Sequence, residues 1–265
     1  MDFNVDFLDC TGFKGPNMHY HKYSELIFVL NGSLNFLVED EVYHSEGSCL
    51  IFFKEKQFHT TDVDPSVRYT RYNTTFRYKH LNDILDYEAV RELYEQDCAV
   101  IPLSEKEKEE LLSMIKPIYR TLADSEDNIY SSTFAKHLLC ALLTKVNMLV
   151  MSKADKVDFH VDTYINRVLE YIRKNLSEKL LVEEIADLFY ISRSKLMSDF
   201  KKATGITIGD YILCNRIKLS KELLMSGKTV SETAVLSGFV NTSHFIRTFK
   251  KETGKTPLQY CRSKI

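Results

Sequence analysis

The chain has 265 residues, of which 44% are hydrophobic and 27% charged, with a formal net charge of −2. That length suggests two domains, and the balance is that of an ordinary globular protein. Cys10, Cys49, Cys98, Cys140, Cys214 and Cys261 are scattered without a C-x-x-C pair, which excludes a disulfide framework and a zinc finger and leaves buried reduced thiols. No window is expected to reach the ~20 apolar residues of a membrane span. The acidic start, Met1 to Asp6, lacks the basic and apolar stretches of a signal peptide. A cytoplasmic chain is expected.

Residues 1–80 read as β. Leu26–Leu30 and Ser33–Glu39 flank Asn31-Gly32, a hairpin signal because both residues tolerate φ > 0. Val42–Ser45, Cys49–Phe53, Gln57–Thr61 and Val67–Phe76 are further candidate strands, and short strands at this spacing suggest a sandwich or barrel. Near Leu81 the pattern turns helical. Ser104 and Glu107 have capping-box spacing, and the helix they open carries Pro117, where a kink is expected. A second helix is expected over Ser132–Met151, with a broad stripe of Phe134, Leu138, Leu139, Leu142, Leu143, Val146, Leu149 and Val150. Two partners fit so wide a stripe, the β domain or a second subunit. Leu142 is the trial position for the second. The polar residues 152–159 read as a linker.

From residue 160 onward the chain is helical, with 18 Lys+Arg against 11 Asp+Glu; residues 1–159 have 17 against 26. A basic C-terminal part beside an acidic N-terminal part suits one polyanion-binding domain. This part also repeats itself. Phe200–Thr207 recurs as Phe249–Thr256, and Tyr211 as Tyr260, at an offset of 49. Upstream, Glu184-Ile185-Ala186 matches Glu232-Thr233-Ala234 at 48, so one residue is inserted where a turn would lie. Each copy reads as helix, turn, helix. Leu181–Leu188 leads to Ser192, a cap for a helix over Arg193–Ala203. Val230–Leu236 and Gly238 lead to a helix from Asn241 to Glu252. The second helix of each copy has a polar, basic face suited to a DNA major groove. On it lie Arg193, Ser194, Met197, Ser198, Lys201 and Lys202 in one copy. Thr242, Ser243, Ile246, Arg247 and Lys250 lie on it in the other, with His244 at its edge and Lys251 turned towards its flank. Between the copies Ile208–Leu224 reads as one helix of ~25 Å. It could hold two recognition helices about one DNA turn apart, roughly 34 Å.

These segments resemble the AraC/XylS family of transcription regulators over about residues 164–262. The likeness is carried by Ile185-Ala186, Ser192–Phe200, Tyr211-Ile212, Arg216-Ile217, Leu223-Leu224, Gly238-Phe239, Ser243–Phe249, Gly254–Pro257 and Tyr260. Ser220 stands where the family usually has Ala, Thr233 where it has Ile, and Cys261 where Arg often follows the last Tyr. The resemblance implies a sequence-specific DNA-binding regulator and no enzyme. It points to Ser194, Met197, Ser198, Thr242, Ser243, His244 and Arg247 as groove-facing. Expected partners are double-stranded DNA, a second copy of the chain, a small-molecule effector such as a sugar, and RNA polymerase.

At the other end, His19-Tyr20-His21, Glu25 and Gly32 give H-x-H-x3-E-x6-G, followed by Gly47 and His59. This looks like the cupin signature of jelly-roll barrels, less its usual Pro and with His59 one residue late. The resulting expectation is an α+β chain of two domains. A cupin-like sensor barrel spans 1–80 and a helical dimerisation segment 81–151. After the linker, an all-α domain over 160–265 carries two helix-turn-helix units joined by a long helix. His19, His21, Glu25, His59, Tyr43 and Tyr69 are the expected effector-pocket residues, among other aromatic candidates Phe28, Phe36, Phe52 and Tyr72. No cofactor is expected. The sequence leaves open a metal at the histidines, and with it a metal-dependent cupin enzyme fused to a DNA-binding domain.

Overall fold

The computed structural model describes residues 3–15, 18–39, 41–96, 99–124, 128–153 and 164–262. It divides into two compact units, Met1–Val161 and Asp162–Ile265. Residues 154–159 of the expected linker, and Cys98, lie outside the described residues.

Among its described residues the first unit has eight strands: β1 (Phe3–Cys10), β2 (Ser24–Asn31), β3 (Ser33–Val38), β4 (Glu41–Glu46), β5 (Cys49–Phe53), β6 (His59–Val63), β7 (Tyr69–Phe76) and β8 (Ala99–Pro102). They form a five-stranded sheet in the order β1-β7-β2-β5-β8 and a three-stranded sheet in the order β4-β3-β6. All pairings are antiparallel. Side chains alternate across each strand, so the larger sheet has two apolar faces. Ile27, Val29, Cys49, Ile51, Phe53 and Tyr69 meet Leu34, Phe36, Val38, Tyr43 and Val63 of the smaller sheet inside the barrel. Leu26, Phe28, Leu50, Phe52, Tyr72 and Phe76 point the other way, into a second core. Phe28, Phe52 and Tyr72 are therefore not pocket residues.

That second core is closed by helices α1 (Arg91–Glu95), α2 (Glu105–Asp124) and α3 (Ile129–Lys153). The capping box opens α2 as expected: Ser104 N–H and Oγ donate to Glu107 Oε2 at 2.8 and 2.7 Å. The helix continues through Pro117. Leu111, Ile115 and Ile118 of α2 meet Leu139, Leu142, Leu143, Val146 and Val150 of α3 over the sheet. Lys153 ties the end of α3 to Glu107 and to the Pro102 carbonyl, at 2.8 and 2.7 Å. Barrel and helical segment thus share one unit instead of dividing at residue 80. Leu142 is 1% exposed in that core, so it is no subunit-interface residue. At 25 residues α3 is also long and apolar enough to cross a membrane by length and composition, against the expectation that no segment is. Half of that stretch is buried in this fold.

Asn31-Gly32 is not a hairpin turn. β2 and β3 belong to different sheets, so the dipeptide is the corner between them. Gly32 does not adopt positive φ; a Cβ there would stand 2.9 Å from the Tyr69 ring. Its smallness makes room for an aromatic ring. β1 and β8, the two edge strands of the larger sheet, are additions to the expected set.

The second unit is helical: α4 (Tyr164–Lys174), α5 (Val182–Leu188), α6 (Arg193–Thr204), α7 (Ile208–Met225), α8 (Val230–Leu236), α9 (Thr242–Thr253) and α10 (Pro257–Arg262). Ile165, Val168, Leu169 and Ile172 give α4 a buried face at helical spacing. α7 buries Ile208, Tyr211, Asn215, Ile217, Ser220 and Leu224. Its 18 residues make a strut of about 27 Å.

Candidate nucleic-acid interface and sensor site

The two helix-turn-helix units are built alike. α6 and α9 each have 12 residues. Ser192 Oγ accepts from Lys195 N–H at 3.2 Å and Asn241 Oδ1 from His244 N–H at 2.8 Å, so each second helix starts on a side-chain cap. In the first turn Ile191 N–H donates to Ala186 O at 3.0 Å; in the second Phe239 N–H donates to Ala234 O at 2.9 Å. The left-handed residue between the helices is Tyr190 (φ 56°) in one copy and Gly238 (φ 78°) in the other. These pairs keep the offset of 48, and the caps that follow are 49 apart. Val240 is therefore the inserted residue.

Leu196 and Phe200 anchor α6, and Phe245 and Phe249 anchor α9; all four are fully buried. Helical geometry then turns the intervening positions outward. Arg193, Ser194, Met197, Ser198, Lys201 and Lys202 are exposed on α6, and Ser243, His244, Arg247, Lys250 and Lys251 on α9. Thr242 is half-buried. Ile246, expected to face outward, packs against the apolar cluster around Phe245 and Phe249. Each helix ends in a lysine pair, Lys201-Lys202 and Lys250-Lys251, where cations complement the helix dipole. Arg193 is engaged by Glu183 of α5 at 2.8 Å.

In the first unit, four polar residues of the H-x-H motif set converge at one end of the barrel. His19 and His59 exchange backbone hydrogen bonds, both 3.0 Å, which lays the loop before β2 against β6. Their rings are 4.5 Å apart, and the His21 ring is 5.7 and 5.0 Å from them. One ligand atom from each of the three lies within 4.8 Å of the others. His21 Nε2 stands 2.9 Å from Glu25 Oε2. His59 Nε2 approaches the same oxygen to 3.2 Å, but from a direction that makes no hydrogen bond. Burial would raise the Glu25 carboxyl, but the neighbouring His21 and His59 rings outweigh it and hold it well below the usual carboxylate range. Glu25 Oε1 accepts from Asn73 Nδ2 at 2.6 Å. Tyr23 stacks on His21 at 3.9 Å, and Phe53 on His59 at 4.0 Å.

Two family profiles match this chain: an AraC-like ligand binding domain over residues 12–143 and a helix-turn-helix domain over 185–263. The melibiose operon regulatory protein of Escherichia coli K12 is 22% identical over 255 residues, 92% of this chain and 83% of that protein. The transposon Tn10 TetD protein of Escherichia coli is 34% identical over 122 residues, 46% of this chain and 87% of that protein. The chain belongs to the AraC/XylS family. It is a transcription regulator with a ligand-binding domain and a helix-turn-helix DNA-binding domain. A further relative, the bifunctional transcriptional activator/DNA repair enzyme AdaA of Bacillus subtilis, is 37% identical over 98 residues, 37% of this chain. The chain covers 46%, under half, of that protein's length.

In this AraC-family regulator the departures from the family pattern fall at packing positions. Ser220 is buried on α7 and its hydroxyl donates to the Arg216 carbonyl at 2.6 Å. Thr233 is buried on α8 with its hydroxyl unpartnered. Of the expected pocket set, His19, His21, Glu25 and His59 come together. Tyr69 does not join them: it lies at the far end of the sheet, beside Cys10, six residues of strand or about 20 Å from the Glu25 end. Tyr43 stacks on Phe36 inside the barrel and donates to Glu41. Asn73 escaped the sequence reading. Its only signal was a polar residue at an inward position of β7, opposite Ile27. Arg216 is the other addition. It donates to the carbonyls of Leu176 and Glu178 at 3.1 and 2.7 Å, fastening α7 to the segment after α4.

Proposed function

We propose that this regulator reads double-stranded DNA with the outward faces of α6 and α9. Arg247, Ser243 and His244 meet base edges from α9, Ser194, Met197 and Ser198 from α6, and Thr242 borders the groove. Lys201, Lys202, Lys250, Lys251 and Arg193 meet phosphates. The observation that carries this is duplication: two capped, equal-length helices with exposed polar and basic faces, on one 18-residue strut. Packing alone gives no reason for matching faces. Arg suits guanine O6 and N7, whereas lysines at helix ends suit phosphate. The test is titration of the full chain with promoter fragments at several salt concentrations. Counterion release makes affinity fall steeply with salt. A chain that shifts no fragment even in low salt refutes the reading.

The barrel is the sensor, with His19, His21, Glu25 and His59 as its polar end and a small molecule, a sugar among them, as effector. The protein works in the cytoplasm, catalyses no reaction and contacts RNA polymerase once on DNA. It acts as a homodimer joined through α3. Tyr130, Phe134, His137, Ala141, Met148 and Met151 are exposed on that helix. With Thr144 they recur at alternating steps of three and four, the spacing of a helix–helix seam.

A further inference from the structure

Lys195 is an exposed cation on a DNA-reading helix, yet the fold keeps it occupied. Its Nζ donates to Asp199 Oδ2, four residues on along α6, at 2.7 Å. An exposed pair at that spacing is ordinarily weak, because both side chains lose freedom in forming it, and a DNA phosphate would compete with it. Here the carboxylate does not depend on the lysine for its place. The Tyr164 hydroxyl, at the start of α4, donates to the same oxygen at 2.6 Å. Both bonds are charge-assisted. The Lys195 bond first, and the Tyr164 bond second, hold the Asp199 carboxyl below the usual carboxylate range. The Asp199 side chain is 32% exposed against 59% for Lys195, so the acid is the fixed partner.

The helix-turn-helix fold does not require this arrangement, as the repeat shows. At the offsets of 48 and 49, Ile212, His244 and Thr248 stand where the first copy has Tyr164, Lys195 and Asp199. α9 nonetheless matches α6 in length and starts, like it, on a side-chain cap. His244, the counterpart of Lys195, is assigned above to base edges, so position 195 lies within reach of DNA. Lys202, assigned to phosphate, is seven residues from Lys195 and so on the same side of the helix, about 10 Å along it. Asp199 lies between the two lysines. We propose that Asp199, held by Tyr164, is an electrostatic brake on DNA binding that withholds Lys195 from the phosphate backbone. Sequence-independent attraction to DNA is set by the number of phosphates that the cations neutralise, and the brake lowers that number by about one. It presupposes that α6 reads DNA, and it assigns to one residue of that helix the task of weakening the grip.

The experiment titrates the full chain with a promoter fragment at salt concentrations from about 50 to about 200 mM. Asp199→Asn should bind more tightly than wild type, with a slope of log affinity against log salt steeper by about 0.9. Its advantage should therefore be about 3.5-fold larger at the lowest salt than at the highest. Adding Lys195→Ala to Asp199→Asn restores the net charge of the wild-type pair and should return the slope to wild type. Tyr164→Phe, which keeps the ring and both charges, should steepen the slope by less than Asp199→Asn does. Circular dichroism checks that each variant folds. If Asp199→Asn does not, Asp199→Thr, after the second copy, takes its place. A merely structural role for the pair has the opposite sign: Asp199→Asn then weakens binding at every salt concentration. That result overturns the proposal, as does an unchanged slope in Asp199→Asn or a steepening that survives Lys195→Ala. An unchanged slope in Tyr164→Phe overturns the part given to Tyr164. Wild type that binds no fragment even in low salt refutes the DNA reading itself, whereas wild type that binds and variants that do not differ from it refute only the brake.

Discussion

Gly238→Ala concentrates several features of the second unit in one methyl group. Gly238 has φ +78°, a left-handed conformation that costs an L-residue roughly 1–2 kcal/mol. Its added Cβ would also collide with the Leu176 carbonyl oxygen and stand 2.8 Å from Arg216 Nε. Those atoms are bonded to each other at 3.1 Å, and hydrogen bonds to charged groups contribute about 1.5–3 kcal/mol. Relieving the clash separates them, so the expected cost is about 3–5 kcal/mol against a typical total of roughly 5–15. Gly254→Ala is the internal control. It has φ +74° and nothing within 4 Å of its Cβ, so it should cost only about 1–2 kcal/mol. Urea denaturation followed by far-UV circular dichroism measures both, reading the transition of the helical unit. Equal costs for the two substitutions would refute the clash, and Arg216 would no longer explain why Gly occupies position 238.

Phe134→Glu with Met148→Glu should leave the fold intact and convert a dimer to a monomer in size-exclusion chromatography with light scattering. Leu142→Glu should instead unfold the first unit. It removes a buried leucine, worth roughly 2–5 kcal/mol, and introduces a charge in its place. Arg247→Ala should cost ~1–3 kcal/mol in DNA affinity and relax preference at one base pair, whereas Lys251→Ala should weaken all sequences alike and shallow the salt slope by about one. Binding-site selection with both variants separates these outcomes. Burial would raise the Glu107 carboxyl, but Lys153 and Ser104 hold it down at about 2. A depressed folded-state value adds stability above the ordinary carboxylate range, lost as pH falls towards 2. The melting-temperature gap between wild type and Lys153→Ala should therefore close over that acid range.

Local chemistry made the C-terminal half legible. Capping at Ser192 and Asn241, left-handed glycine at 205 and 254, and buried apolar anchors four apart at Leu196/Phe200 and Phe245/Phe249 act within one or two helical turns, and the repeat displays each of them twice. The N-terminal half yielded its strands by alternation, yet alternation does not say which neighbour a strand takes. Asn31-Gly32 had the chemistry of a hairpin, but the strands it joins lie in different sheets, β2 pairing with β5 and β7 and β3 with β4 and β6. A broad apolar stripe likewise cannot say what covers it. Only the packing of α2 and α3 on the sheet assigned Leu142 to the core and left Phe134 and Met148 outside. The motif placed His19, His21 and Glu25 near one another in sequence. Asn73 reaches the same carboxylate from β7, the neighbour of β2 in the larger sheet, whereas His59 reaches it from β6 of the smaller sheet, which sequence separation alone does not reveal.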